Sequence, residues 1–136
     1  MYYEIIYQKS KIKMQNDKSK FKYEFKERLY RFVLVLIKYL GTIPYDTTSK
    51  ILINQLVRSS TSILANYTEG QSASSRKDFI KYFEISLKSA NESKVWIELL
   101  RDTGKFPQVN ASSQLQELIE ISNIFASSIL TLKGKK

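Results

Sequence analysis

Four glycines and two prolines are all the strong helix breakers in this 136-residue chain. They fall at four places: Gly41 with Pro44, Gly70, Gly104 with Pro107, and Gly134. The chain between them runs in long uninterrupted segments, and such segments favour helices when apolar residues recur with helical spacing. They do so four times. Over residues 20–40, Phe25, Leu29, Phe32, Val33, Leu36 and Leu40 form one stripe, with Leu34 and Val35 off it. Over residues 47–69 the stripe is Ile53, Leu56, Ser60, Ile63 and Tyr67. Over residues 75–103 it is Phe79, Phe83, Ser86, Ala90, Ile97 and Leu100, and over residues 112–132 it is Leu115, Leu118, Ile119, Ser122, Phe125 and Ile129. No two-residue alternation persists, so no sheet is expected. The spacing predicts an all-α fold, an antiparallel up-down-up-down four-helix bundle with short links.

The division expected is a basic N-terminal extension over residues 1–18, a bundle over 19–133 and a basic end over 134–136. The extension carries no helix-length apolar stripe and is expected to be dispensable for the fold. Asp46, Thr47 or Thr48 suits the N-cap of the second helix. Gly70 reads as a left-handed residue just past that helix. Ser74 or Ser75 then caps the third, with Asp78 complementing its positive end.

The composition narrows the chemistry. The chain has neither cysteine nor histidine, which removes the thiolate and imidazole ligands of common metal sites and the commonest general base. Glu84, Glu92, Glu98 and Asp102 along the third segment lack the Glu-x-x-His pairs of a di-iron bundle. The stretch around Gly70 lacks the spacing of a phosphate-binding loop. Neither an enzyme, a cofactor nor a metal is expected. The run Phe32 to Ile37 is too short to span a bilayer, and the first residues do not read as a leader, so no membrane association and a cytoplasmic location are expected.

The formal net charge is +9. It is uneven: residues 1–28 carry +4, residues 133–136 carry +3, and everything between only +2. Candidate nucleic-acid contacts are therefore Lys9, Lys11, Lys13, Lys18 and Lys20 in the first stretch, with Arg58, Arg76, Lys77, Lys81 and Lys88 in the body. Lys77, Lys81, Glu84 and Lys88 share a helix face, and alternating sign there also describes an ordinary solvated surface. Small residues at apolar-face positions (Ser60, Ser86, Ala90, Ser93 and Ser122) read as close helix approach more readily than as a polar channel. Leu34, Ile85, Trp96, Leu99 and Ile124 lie off the core stripes, and a surplus of this size points to self-association or a protein partner.

The stretch from Arg58 to Leu100 carries a resemblance. Arg58, Ser59, Ser62, Ala65, Asn66, Tyr67, Glu69, Gly70, Gln71, Ser72, Ala73, Ser74, Ser75, Arg76, Asp78 and Phe79 resemble the signature of the bacterial four-helix-bundle family of 23S rRNA intervening-sequence proteins. The similarity extends over about residues 20–133. It implies an antiparallel bundle assembled into a ring, a homopentamer, with self as first partner. A related branch, the accessory variability protein of diversity-generating retroelements, binds nucleic acid and a reverse transcriptase through a basic barrel. That relation makes RNA, DNA and a reverse transcriptase the candidate partners. The near-neutral body departs from that branch. The reading is a non-enzymatic homo-oligomeric bundle acting as a nucleic-acid-binding accessory factor, with a purely structural or protein-interaction module as the alternative.

Overall fold

A computed structural model describes residues 17–134. It contains four helices: α1 Asp17–Leu40, α2 Thr47–Gln71, α3 Arg76–Asp102 and α4 Gln108–Leu132. No strand occurs among the described residues. The short links force consecutive helices antiparallel. α2 packs most extensively on α3, then α3 on α4, with α1 lying more lightly on α2 and lightest on α4. The result is the expected up-down-up-down bundle. α1 starts at Asp17, inside the stretch assigned to the extension.

The core is built from the predicted stripes. Leu29, Leu36, Leu56, Ile63, Ile97, Leu100, Leu118 and Phe125 are wholly buried. At one end Phe25, Tyr67, Phe83 and Phe125 interlock, with centroids 5.1–6.0 Å apart and mostly edge-to-face. Such pairing adds to simple burial. α4 departs from expectation. It begins at Gln108, directly after Pro107, whose carbonyl accepts the Ala111 amide at 2.9 Å. Ala111, Gln114 and Ile121 join the buried face, and Ile119 is 44% exposed. Ile119 follows Leu118 by one residue, a rotation of about 100°, so it leaves the core when Leu118 points into it.

The serines between α2 and α3 bond across and along the seam. The Ser59 and Ser93 hydroxyls are 2.8 Å apart, Ser86 Oγ donates to the Ile63 carbonyl at 3.1 Å, and Ser89 Oγ donates to Ser62 Oγ at 2.9 Å. Ser93 Oγ also donates to the Ser89 carbonyl at 2.9 Å. Small, satisfied side chains let two helices approach closely, which accounts for this seam without a channel.

The caps divide into agreement and correction. Asp46 is the N-cap of α2: its Oδ1 accepts the Ser49 amide at 2.8 Å, while Ser49 Oγ accepts the Asp46 amide at 2.9 Å. Ser75 caps α3 by accepting the Asp78 amide at 3.1 Å. Gly70, however, is not left-handed. It lies within α2, is buried, and faces α3, where a Cβ would stand 3.1 Å from Tyr82 Cβ. The left-handed glycines are Gly104 (φ 75°) and Gly134 (φ 70°). At Gly104 the Lys105 amide reaches back to the Leu100 carbonyl at 2.8 Å and the Gly104 amide to the Arg101 carbonyl at 3.0 Å, a Schellman cap.

Candidate nucleic-acid and self-association surfaces

The topology places the N-terminus of α1, the C-terminus of α2, the N-terminus of α3 and the C-terminus of α4 at one end of the bundle. The chain's basic stretches therefore meet there. Lys20 and Lys22 enter on α1, Arg76, Lys77 and Lys81 open α3, and Lys133 closes α4. Lys18 lies in the first turn of α1. Lys9, Lys11 and Lys13 lie outside the described residues.

The body cations are not equivalent. Arg58 is held by neighbours: it donates to Gln55 Oε1 at 2.9 and 3.1 Å and pairs with Glu92, which also accepts Trp96 Nε1 at 3.0 Å. Arg76 reaches across to α4, its Nε and Nη2 donating to the Leu132 carbonyl at 3.0 and 2.8 Å. It therefore satisfies a helix-end carbonyl and fastens α3 to α4. Lys20 lies 3.9 Å from Glu24. Lys77, Lys81 and Lys88 are exposed on one face of α3 and enter no ion pair among the described residues. Glu84, which interrupts their stripe, is countered by Lys133 at 3.0 Å. The position of Lys133 one helix over is what sequence spacing could not reveal.

The apolar surplus also resolves. Leu34 and Leu99 are exposed, Ile85 is half-buried, and Trp96 and Ile124 pack against the core margin. The latter two are thus less available than their off-stripe positions implied. Reading the stripes missed Tyr30 and Ile37, both more than 40% exposed, which continue the line of Leu34 at i, i+4 and i+7 along α1. On α3, Val95 and Leu99 pair at i, i+4. α1 and α3 do not pack extensively on one another, so these two apolar lines lie on separate helices.

A cleft of about 670 Å³ lies between α1 and α4. Both of its arginines are paired: Arg31 with Glu27, while Arg28 donates to Glu117 Oε1 and Oε2 at 2.7 and 2.8 Å and to Glu120 Oε1 at 3.0 Å. The hydrogen bond to Glu117 leads in holding the Arg28 guanidinium above its ordinary pKa, while that from Arg28 lowers the Glu120 carboxyl. This is an interhelical clamp. The sequence reading singled out none of its three members, because Arg28 and the two glutamates meet only when α1 packs beside α4. Among the described residues no group of three or more carboxylates, histidines or cysteines is placed to hold a metal ion, and no helix is long and apolar enough to cross a membrane.

The family model of 23S rRNA-intervening sequence proteins matches residues 22–127. The chain belongs to that family. A solved crystal structure with the same fold, described as a protein of unknown function from the S23 ribosomal protein family of Bacteroides thetaiotaomicron, is 30% identical with a TM-score of 0.74. The match covers 79% of this chain and 96% of that one. No curated protein matches. Neither the family nor the structural relative bears an enzyme's name. The match begins at residue 22, so residues 1–18, the basic extension, lie outside it.

Proposed function

We propose that this member of the 23S rRNA-intervening sequence protein family is a non-enzymatic homo-oligomeric accessory protein that grips the nucleic-acid backbone through one basic end of each bundle. The gathering of the lysines on α1, α3 and the end of α4 at that end carries the reading. Lysines act there as point charges with little base specificity, so binding is sequence-independent. Ring assembly multiplies the basic ends, and several then engage one polyanion with gained avidity. Two separate apolar lines, one on α1 and one on α3, support a ring: a contact between unlike faces of successive copies closes cyclically, whereas a two-fold dimer uses one face twice. Five copies is the number the family resemblance favours. A reverse transcriptase or RNA-protein complex remains the partner class to which such an accessory would deliver nucleic acid.

The test is a titration with single-stranded RNA of the full chain, a chain lacking residues 1–18 and 133–136, and a Lys77→Ala/Lys81→Ala/Lys88→Ala chain. Light scattering should give several times the monomer mass. With about four phosphates neutralised, affinity should fall roughly tenfold to a hundredfold between 50 and 200 mM salt. The tailless form and the stripe variant should each bind more weakly, the tailless form most. If no form binds at low salt but the oligomer persists, the molecule is a structural module. A monomer at tens of micromolar would remove the ring.

A further inference from the structure

The same basic end carries a second feature, an apolar groove. It is about 870 Å³ in volume and lies between α1 and α4, with Phe79 and Phe83 of α3 and Tyr67 of α2 among its lining. Phe21 and Ile124 flank it, and Phe21 remains 50% exposed despite stacking on Phe25 at 5.8 Å. Gln71 also lines it, and Gln71 Nε2 is buried with no hydrogen-bond partner among the described residues. A turn of the Gln71 side chain would present that unpartnered amide to a main-chain carbonyl laid in the groove. A bundle core has no need of this opening; the light contact between α1 and α4 leaves it.

We infer that the groove is the docking site of the chain's own first residues, 1–7. That stretch reads Met-Tyr-Tyr-Glu-Ile-Ile-Tyr, with Glu4 its one charged side chain. It is the apolar part of an extension whose later residues hold Lys9, Lys11 and Lys13. Its tether suits the site. α1 begins at Asp17, about one turn before Phe21 at the groove. Residues 8–16 span up to roughly 30 Å, ample for the first residues to turn back beside α4. The groove follows α4 from Asn123 to Leu132, a rise of about 14 Å, room for four or five extended residues. A tether this short sets a local concentration on the order of millimolar, which favours the chain's own segment over a free partner. Docking would also hold Lys9, Lys11 and Lys13 over the basic end of the bundle. The solved relative, 96% of which aligns to only 79% of this chain, shows that the fold itself does not depend on so long a chain.

The absence of cysteine makes the test direct. Glu4→Cys is combined with Ser128→Cys at the groove, and in a second chain with Thr131→Cys, in the otherwise intact protein. Diamide then oxidises the two thiols to a disulfide, and non-reducing electrophoresis separates intrachain from interchain products. The control adds Ile5→Glu and Ile6→Glu, which keeps the tether and removes the apolar anchors without touching the bundle. Intrachain bonding should be at least about tenfold faster with the isoleucines present, given the burial free energy of two such side chains. Equal rates with and without them would mean that the tether alone brings the thiols together, and the docking site is refuted. A predominantly interchain product would give the groove to a second copy and refute the intramolecular occupant. RNA binding enters neither readout, so the result stands apart from the proposed function.

Discussion

Gly70 offers the sharpest test of how this bundle is packed. A Cβ added there meets Tyr82 Cβ at 3.1 Å and the Phe83 ring edge at 3.6 Å. Two substitutions separate the forces. In Gly70→Ala the methyl group needs a shift of a few tenths of an ångström between α2 and α3. Against that cost stands the better helix propensity of alanine, up to about 1 kcal/mol in a helix interior and less here, one residue from the end of α2. The net effect should be within about 1 kcal/mol of zero. Gly70→Val adds two further methyl groups against Phe83, which belongs to the interlocked Tyr67 and Phe125 cluster. The link from Ser72 to Ser75 is too short to let the helices part freely. Overpacking of this kind costs about 1–3 kcal/mol. For a domain of this size that is a fall in Tm of roughly 3–12 °C at fixed protein concentration. The assay is thermal melting followed by far-UV circular dichroism, with near-UV dichroism reporting the aromatic cluster. If valine leaves Tm unchanged, the close approach is not real. If alanine costs as much as valine, the contact of the Cβ itself with Tyr82 sets the cost, and not the further methyl groups against Phe83.

Two further outcomes follow from titrating groups. The hydrogen bond from Lys105, followed by the Ser49 amide, lowers the Asp46 carboxyl to about 2. Its folded value lies below the unfolded one, so its stabilisation is present above about pH 4 and disappears as pH falls towards 2. The Tm advantage of the native chain over Asp46→Asn should shrink across that window; a constant gap would refute the charged contact. Burial raises the Tyr67 hydroxyl above its ordinary value of 10.0. Its contribution is therefore full below pH 10 and is lost as pH rises beyond it. Tyr67→Phe should flatten that alkaline loss while giving up the 3.2 Å hydrogen bond to the Lys22 carbonyl. An unaltered alkaline profile would show that another group governs it.

Local rules settled much of this molecule. Scarce helix breakers and a 3.6-residue apolar period were enough to specify four helices and nearly all of their buried faces, because each stripe needs only its own helix to be defined. The caps were legible to within a residue or two for the same reason, and the structure selects Asp46 from Asp46, Thr47 and Thr48 and Ser75 from Ser74 and Ser75, each bonding to a backbone amide three residues on. What the neighbouring helix decides was not legible. Gly70 looked like a chain reversal, and only the presence of Tyr82 across the helix pair shows it to be a packing position. Arg58 and Arg76 looked like free cations until Glu92 and the Leu132 carbonyl came within reach. Lys77, Lys81 and Lys88 looked like half of a balanced surface until Lys133 took up Glu84. The antiparallel order of the helices then brought distant basic stretches to one end. Sequence spacing describes neighbours a turn away on one helix; which charges are cancelled, and which remain for a partner, depends on side chains that meet only when the helices pack.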